Sequence, residues 1–153
     1  MPSPTISYLI CSMALVMLIF VMPFFYAIVA NNIRADMIRR ELKEITDYVS
    51  NTLANLYFLV NSTDSPDVSL EKELMYLPST VENSVYIVNI DGSGENASKI
   101  TAYLKDRSSV EVDAWLVPGL KVGADYSIKS GGRTVVAGCS RNGTGVYVWI
   151  RYG

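Results

Sequence analysis

The pattern of apolar and polar residues divides the chain into three stretches, and the first of them is apolar throughout. From Ile6 to Ala30 no residue is charged, and only Ser7, Ser12 and Pro23 interrupt the apolar character. A helix needs about 20 such residues to cross the hydrocarbon core of a bilayer, so this stretch is long enough. Because burial of each large apolar side chain is worth about 1.5–3 kcal/mol, we expect the stretch to lie in lipid or in a bundle of apolar helices.

In the second stretch the apolar pattern narrows to a single stripe. Apolar residues follow one another at steps of mostly three and four, which indicates one face of an amphipathic helix. The stripe begins with Ile33 and Met37 and continues through Ile38, Leu42, Ile45, Val49, Leu53, Leu56 and Val60. The favourable i,i+4 charge pairs on the other side are Asp36–Arg40, Arg40–Glu44 and Lys43–Asp47. The pattern predicts one helix from about Thr5 to about Val60, apolar over residues 5–30 and amphipathic over residues 31–60.

The third stretch consists of short β-branched and aromatic runs between turns rich in glycine, proline and asparagine. The predicted strands are Ser84–Ile90, Lys99–Lys105, Val110–Leu116, Lys121–Ile128, Arg133–Cys139 and Val146–Tyr152, with a further one around Leu70–Leu77. Strands at this spacing are typical of a small antiparallel β-sandwich. We therefore predict an α+β fold, with a long N-terminal helix at residues 1–60 and an immunoglobulin-like β-sandwich at residues 61–153.

Composition sharpens this division and excludes several kinds of chemistry. All ten glycines follow residue 91, and all charged residues follow residue 33. The chain has a formal net charge of −2 and no histidine, so it cannot build an imidazole general base, a Ser-His-Asp triad or a histidine-ligated metal site. A nearly neutral balance does not indicate nucleic-acid binding. We expect no enzymatic activity, no cofactor and no small-molecule substrate.

Two local features suggest further chemistry but have simpler explanations. The run Asp91-Gly92-Ser93-Gly94-Glu95 places oxygen side chains at alternate positions, as in part of a calcium loop, yet a tight hairpin turn explains it and the other ligands are missing. Cys11 falls in the apolar helix and Cys139 in a strand, which argues against a disulfide between them. We expect no metal site, and we expect both cysteines to serve as small apolar residues.

Three sequons predict N-glycosylation of an extracytoplasmic surface. They begin at Asn61, Asn96 and Asn142, and each falls in a predicted loop or turn that an oligosaccharide transferase could reach. The basic residues that closely follow the apolar helix favour a cytoplasmic location for the rest of the chain instead. Acidic residues interleaved with them weaken that tendency, as would a cationic leader removed ahead of this numbering.

Several features of the chain occur together in one known family. They are the wholly apolar helix Thr5–Ala30, a proline in its later part, an amphipathic continuation to Val60 and a C-terminal β-rich domain. The run from Tyr76 to Val81, followed by Val85–Ile90, is similar to the entry into the first strands of archaeal pilin-like proteins. Across its whole length the chain resembles an archaeal type IV pilin.

This resemblance implies a structural subunit of an extracellular filament, with adhesion as its role. In that family a prepilin peptidase removes a basic leader, the mature helices leave the membrane and bundle into a filament core, and the β-domains coat the outside and are often N-glycosylated. The partners would be many identical copies. The residues expected in the assembly core are Ile6, Leu9, Ile10, Met13, Leu15, Val16, Phe20, Pro23, Phe24 and Ile28.

Some features depart from the wider family, and a rival interpretation stays open. This numbering contains no leader motif, the start of the apolar helix lacks the glutamate of bacterial members, and Cys139 is the only cysteine in the β-rich part, so their C-terminal disulfide loop is missing. The rival is a membrane-anchored β-sandwich protein outside the cell, such as an adhesin or an accessory protein of a surface appendage.

Overall fold

One helix and eight strands form the part of the chain described by a computed structural model, residues 4–93, 96–124, 126–143 and 145–153. The helix α1 spans Pro4–Ser62. The strands are β1 (Val68–Glu73), β2 (Tyr86–Ser93), β3 (Asn96–Leu104), β4 (Arg107–Trp115), β5 (Leu120–Val122), β6 (Ser127–Lys129), β7 (Val135–Asn142) and β8 (Gly145–Tyr152). The α+β class and the single long N-terminal helix agree with the prediction.

The chain divides into two compact units within α1. The first unit ends at Met37, and the second runs from Ile38 to Gly153. The predicted domain boundary between residues 60 and 61 is a different kind of boundary, because it marks where the helix ends and the β-rich part begins. In the first unit α1 stays helical through Pro23. A proline removes one backbone hydrogen bond, and the neighbouring turns keep theirs.

The second unit contains a mixed sheet, which corrects the predicted all-antiparallel pairing of its strands. All eight strands join one sheet, in the order β1-β7-β8-β5-β3-β2-β6, with β4 beside β3. Strand β5 runs parallel to β8, and the remaining ladders are antiparallel. Among the described residues one pair, Asn96 with Lys121, connects β3 to β5 and so joins the two groups of four strands. Alternation of apolar residues reports which face is buried, but it carries no information on strand direction.

The predicted strand Lys121–Ile128 is wrong, because two short strands with different partners replace it. Strand β5 pairs with β8, whereas β6 pairs with β2. Gly123 lies between them, and its N–H donates a hydrogen bond to the Val148 carbonyl at 2.7 Å. A Cβ at position 123 would stand 3.0 Å from that carbonyl oxygen, so the chain leaves the ladder where only a glycine is easily accommodated.

Burial of one face of α1 organises the core of the second unit. The predicted stripe from Ile38 to Val60 is buried against the sheet in full, whereas Ile33 and Met37 are exposed. Thr46 is also buried, and its hydroxyl donates to the Leu42 and Lys43 carbonyls at 3.1 and 2.9 Å. A polar residue therefore fits inside the apolar interface because its own helix satisfies it.

Side chains of α1 also close the free edge of β4. Lys43 Nζ donates to the Asp113 carbonyl at 2.8 Å, and Ser50 Oγ donates to the Trp115 carbonyl at 2.8 Å. Within the described sheet β4 pairs with β3 alone, so these carbonyls would otherwise face water or another strand. The two contacts place this flank of the helix at the sheet edge and protect that edge from pairing with other chains.

A glycine in the middle of β7 makes room for a tryptophan of β8. Gly138 is paired with Trp149, and a Cβ at position 138 would lie only 2.2 Å from the indole ring. The indole therefore lies across bare backbone, where any larger residue would displace it.

We expect Leu42→Ala to lower the free energy of unfolding by about 2–5 kcal/mol, because Leu42 is fully buried in the helix–sheet core. Urea unfolding of the full chain in detergent, followed by tryptophan fluorescence, measures this loss. Leu59→Ala is the matched control, since Leu59 lies on the same helix with 56% of its surface exposed and its loss should change the free energy by about 0.5 kcal/mol or less. Equal effects of the two substitutions would contradict this description of the core.

We also expect stability to fall at alkaline pH because of Tyr86. This residue is 1% exposed, its hydroxyl donates to the Pro78 carbonyl at 2.7 Å, and burial raises the pKa of Tyr86 to about 12. Between pH 10 and 12 the unfolded chain ionises there while the folded chain does not, so the free energy of unfolding decreases as pH rises. Over that window the decrease amounts to about 2–3 kcal/mol.

Urea titrations at pH 9 and pH 11.5, compared with Tyr86→Phe, test this dependence. Burial also raises the pKa of the Cys139 thiol, to about 11, and that shift acts in the same direction. Both proteins should therefore carry Cys139→Ala. A phenylalanine variant that loses as much stability as its parent would show that Tyr86 is not responsible.

Candidate assembly surface

The predicted assembly core lies on a helix whose apolar side chains are exposed. Its residues other than Pro23 are each between 43% and 75% exposed: Ile6, Leu9, Ile10, Met13, Leu15, Val16, Phe20, Phe24 and Ile28. Pro23 is exposed as well. A continuous apolar surface of this length is far larger than the patches that soluble monomers tolerate. The segment therefore requires an apolar environment.

The same segment meets the length and composition of a membrane span. A window within α1 is apolar enough to cross a bilayer, none of that window is buried, and it lies near the N-terminus, so it could insert in a membrane or act as a signal sequence. The Ser12 hydroxyl needs no water, because its Oγ donates to the Leu9 carbonyl of its own helix at 3.0 Å. A hydroxyl satisfied in this way can enter lipid or a helix bundle at low cost.

The three sequon asparagines are exposed, but they lie at the ends of secondary-structure elements and not in the loops expected for them. Asn61 is in the last turn of α1, Asn96 begins β3 and Asn142 ends β7. Asn61 Oδ1 accepts a hydrogen bond from Arg141 Nη2 at 2.7 Å, which leaves the amide nitrogen of Asn61 available for a glycan. The hydroxyl residue of the third sequon, Thr144, lies outside the described residues.

The geometry of the described residues gives little support for metal binding or for reactive thiols. The described residues contain no group of three or more Cys, Asp or Glu side chains arranged to hold a metal ion. The Asp91 carboxylate accepts a hydrogen bond from the Thr101 hydroxyl, and Gly94 and Glu95 of the calcium-like run lie outside the described residues. Both cysteines are free thiols, as expected, and burial keeps the Cys139 thiol protonated at neutral pH.

Beside the buried stripe, the second unit carries a groove that the sequence pattern did not single out. This α1 groove has a volume of about 490 Å³ and is lined by Glu41, Glu44, Ile45, Tyr48, Tyr76 and Pro78. The rings of Tyr48 and Tyr76 meet edge to face, with centroids 6.0 Å apart, and Tyr76 is 83% exposed. The spacing of Glu41, Glu44 and Tyr48 along one helix flank is the signal that could have identified it.

A smaller cavity of about 220 Å³ lies next to Tyr86 at the start of β2. Polar side chains from three segments line part of it, namely Glu73, Ser79, Ser130, Arg133 and Thr134. The Arg133 guanidinium lies 5.4 Å from the centre of the Tyr152 ring, and Ser130 is held by a hydrogen bond from the Tyr86 N–H at 3.0 Å. The cavity is large enough for a small polar group and not for a large ligand.

Comparison with known proteins identifies no relative, so the function of the chain must be interpreted from its architecture. No protein-family model, no curated protein sequence and no solved structure matches this chain. What relates the chain to a known kind of protein is its organisation along the sequence. It is a long N-terminal apolar helix followed by a mixed β-sheet, and this is consistent with a type IV pilin-like architecture.

Proposed function

We propose that this chain is the structural subunit of an extracellular helical filament of the archaeal type IV pilus kind, with a role in adhesion. The observation that carries the proposal is the exposed apolar part of α1, which continues along the helix into a folded β-rich unit. The apolar segments of many copies bundle into the filament core, and the β-rich units form the surface. No catalytic role is part of this proposal.

The physical basis of assembly is packing of one apolar helix against others. In the membrane the segment is already out of water, so its transfer into a bundle is driven by close packing and not by the hydrophobic effect. Once the filament stands outside the membrane, dissociation would expose every core side chain to water at about 1.5–3 kcal/mol each. Assembled subunits are therefore held far more tightly than the contacts between helices alone would suggest.

The proposed contacts run head to tail, because an open filament needs interfaces that do not close. Pro23 deletes one backbone hydrogen bond within the apolar segment and permits a local bend as the helix leaves the lipid. The exposed asparagines Asn61, Asn96 and Asn142 would carry glycans on the outer surface.

We expect Leu15→Glu to abolish filament formation, because a carboxylate at a position 62% exposed on the apolar helix would be buried without a partner in the bundle. Electron microscopy of material sheared from cells measures filament yield. Leu15→Met is the conservative control and should assemble normally. Leu59→Glu introduces the same charge outside the proposed core, on a similarly exposed residue, and should also permit assembly. Normal filaments from Leu15→Glu would refute the proposed core.

We further expect glycans on exposed sequons of the purified protein, detectable by mass spectrometry of peptides that contain Asn61, Asn96 and Asn142. Each Asn→Gln substitution should remove the added mass at its own site and leave the others unchanged. Asn89 is also an asparagine of the β-rich unit but is not followed by a sequon hydroxyl, and it should remain unmodified in every sample. Unmodified asparagines at all three sequons would contradict an N-glycosylated surface.

A second candidate is a membrane-anchored binding protein outside the cell, and the polar cavity beside Tyr86 favours it. In that case the apolar part of α1 serves as an anchor, and Arg133 and Glu73 contribute to recognition of a polar ligand. The two candidates differ in the state of the protein. A filament subunit appears as polymers in sheared supernatant, whereas an anchored binding protein is extracted by detergent as monomers or small oligomers.

A further inference from the structure

We propose that the α1 groove receives Arg40 of a second copy of this chain, and that this contact sets the displacement of neighbouring copies along the helix axis. The inference rests on the proposed filament and adds to it a specific polar contact between subunits. It concerns the amphipathic part of α1, which lies after the apolar core segment in the sequence.

The chemistry of the groove suits a guanidinium group. Glu41 and Glu44 supply two exposed carboxylates, and Tyr48 and Tyr76 supply aromatic rings on the same groove wall. Arginine presents several donors in one plane and stacks on aromatic faces, so it uses both kinds of group at once. Within the described part of the chain neither carboxylate forms an ion pair.

The chain offers a matching cation on the same helix. Arg40 is exposed, and the ion pairs of the described residues do not include it, although Glu44 stands at the i,i+4 position. Lys43 and Asp47, at the same spacing, do form a pair at 3.0 Å. Arg40 and the two groove carboxylates are thus complementary charges that form no ion pair within the described part of a single copy.

The order of charges along α1 indicates how two copies would align. Residues 34–40 contain three arginines and one aspartate, a net charge of +2, and residues 41–47 contain three acidic residues and one lysine, a net charge of −2. Parallel copies in register oppose like charges. A shift of seven residues, about 10 Å along the axis, brings the basic block of one copy level with the acidic block of the next. Arg40 then stands level with residue 47, between Glu44 and Tyr48.

The placement of these groups also favours a contact that repeats without closing. Consecutive helix residues point about 100° apart, so Glu41 and Tyr48 lie about 100° and 80° around the axis from Arg40, whereas Glu44 lies about 40° from it. Each copy therefore offers its arginine at one edge of its own groove, turned away from the groove centre. Such a head-to-tail contact generates an open polymer, in agreement with the filament on which the inference rests.

The test uses two full-length variants that fail alone and succeed together. Arg40→Glu places a carboxylate opposite the acidic groove, and the double variant Glu41→Lys and Glu44→Lys places ammonium groups opposite Arg40. We expect each alone to form at least about tenfold fewer filaments than the wild type, because like charges meet at every contact. When both are co-expressed, every mixed contact joins opposite charges, and filaments should return with the two chains in equal amounts.

The matched controls carry the same charge changes elsewhere. Arg107→Glu, and Asp106→Lys with Glu111→Lys, alter exposed residues of the β3–β4 hairpin and should assemble as the wild type does. A contact within one chain would not be restored by mixing, so co-expression that fails to rescue would overturn the inference. Normal assembly of either single variant would also overturn it. Absence of filaments from the wild type would instead overturn the proposed function.

A second measurement does not depend on the reversed charges. On a Cys11→Ala background, chains with Arg40→Cys and chains with Glu44→Cys are co-expressed and the filaments are oxidised. We expect disulfide-linked dimers in the mixture and about tenfold fewer with either chain alone, because the seven-residue shift brings position 40 of one copy within one helical turn of position 44 of the next. Equal yields of dimers from the mixture and from single variants would contradict the contact.

Discussion

Burial of one face of α1 from Ile38 to Val60 is the interaction on which the folded unit depends. The helix supplies a continuous apolar ridge, and the sheet provides the complementary surface from Val88, Ile100 and Val148 among others. Lys43 and Ser50 on one flank then close the β4 edge, and Tyr48 on the other flank contacts Tyr76. Both flanks take their positions from the buried face between them.

The apolar N-terminal part of α1 is exposed and not buried. It folds as a helix in which the Ser12 hydroxyl is satisfied by its own backbone, but its large apolar side chains stay exposed in the described chain. Such a surface is stable only in lipid or among similar helices.

Much of the fold could be predicted because it depends on periodicity. The helix was predicted to within two residues at each end, and each residue of the stripe from Ile38 onward is buried. The exposure of Ile33 and Met37 could not be predicted, since both fit the same spacing and only the extent of the sheet decides where burial begins. Similarly, Tyr76 is distant in sequence from Glu41 and Glu44, so the groove that they share required the folded chain.

The sequence by itself determined the elements, because local hydrophobic period and turn residues decide whether a segment becomes helix or strand. It determined the apolar segment, the α+β class and the lack of histidine chemistry. The tertiary structure alone decided how strands pair: it divided residues 121–128 between two partners, ran β5 parallel to β8 and placed Trp149 across Gly138. Those choices come from contacts between residues far apart in the chain, whose energies depend on packing in three dimensions and leave no period in the sequence.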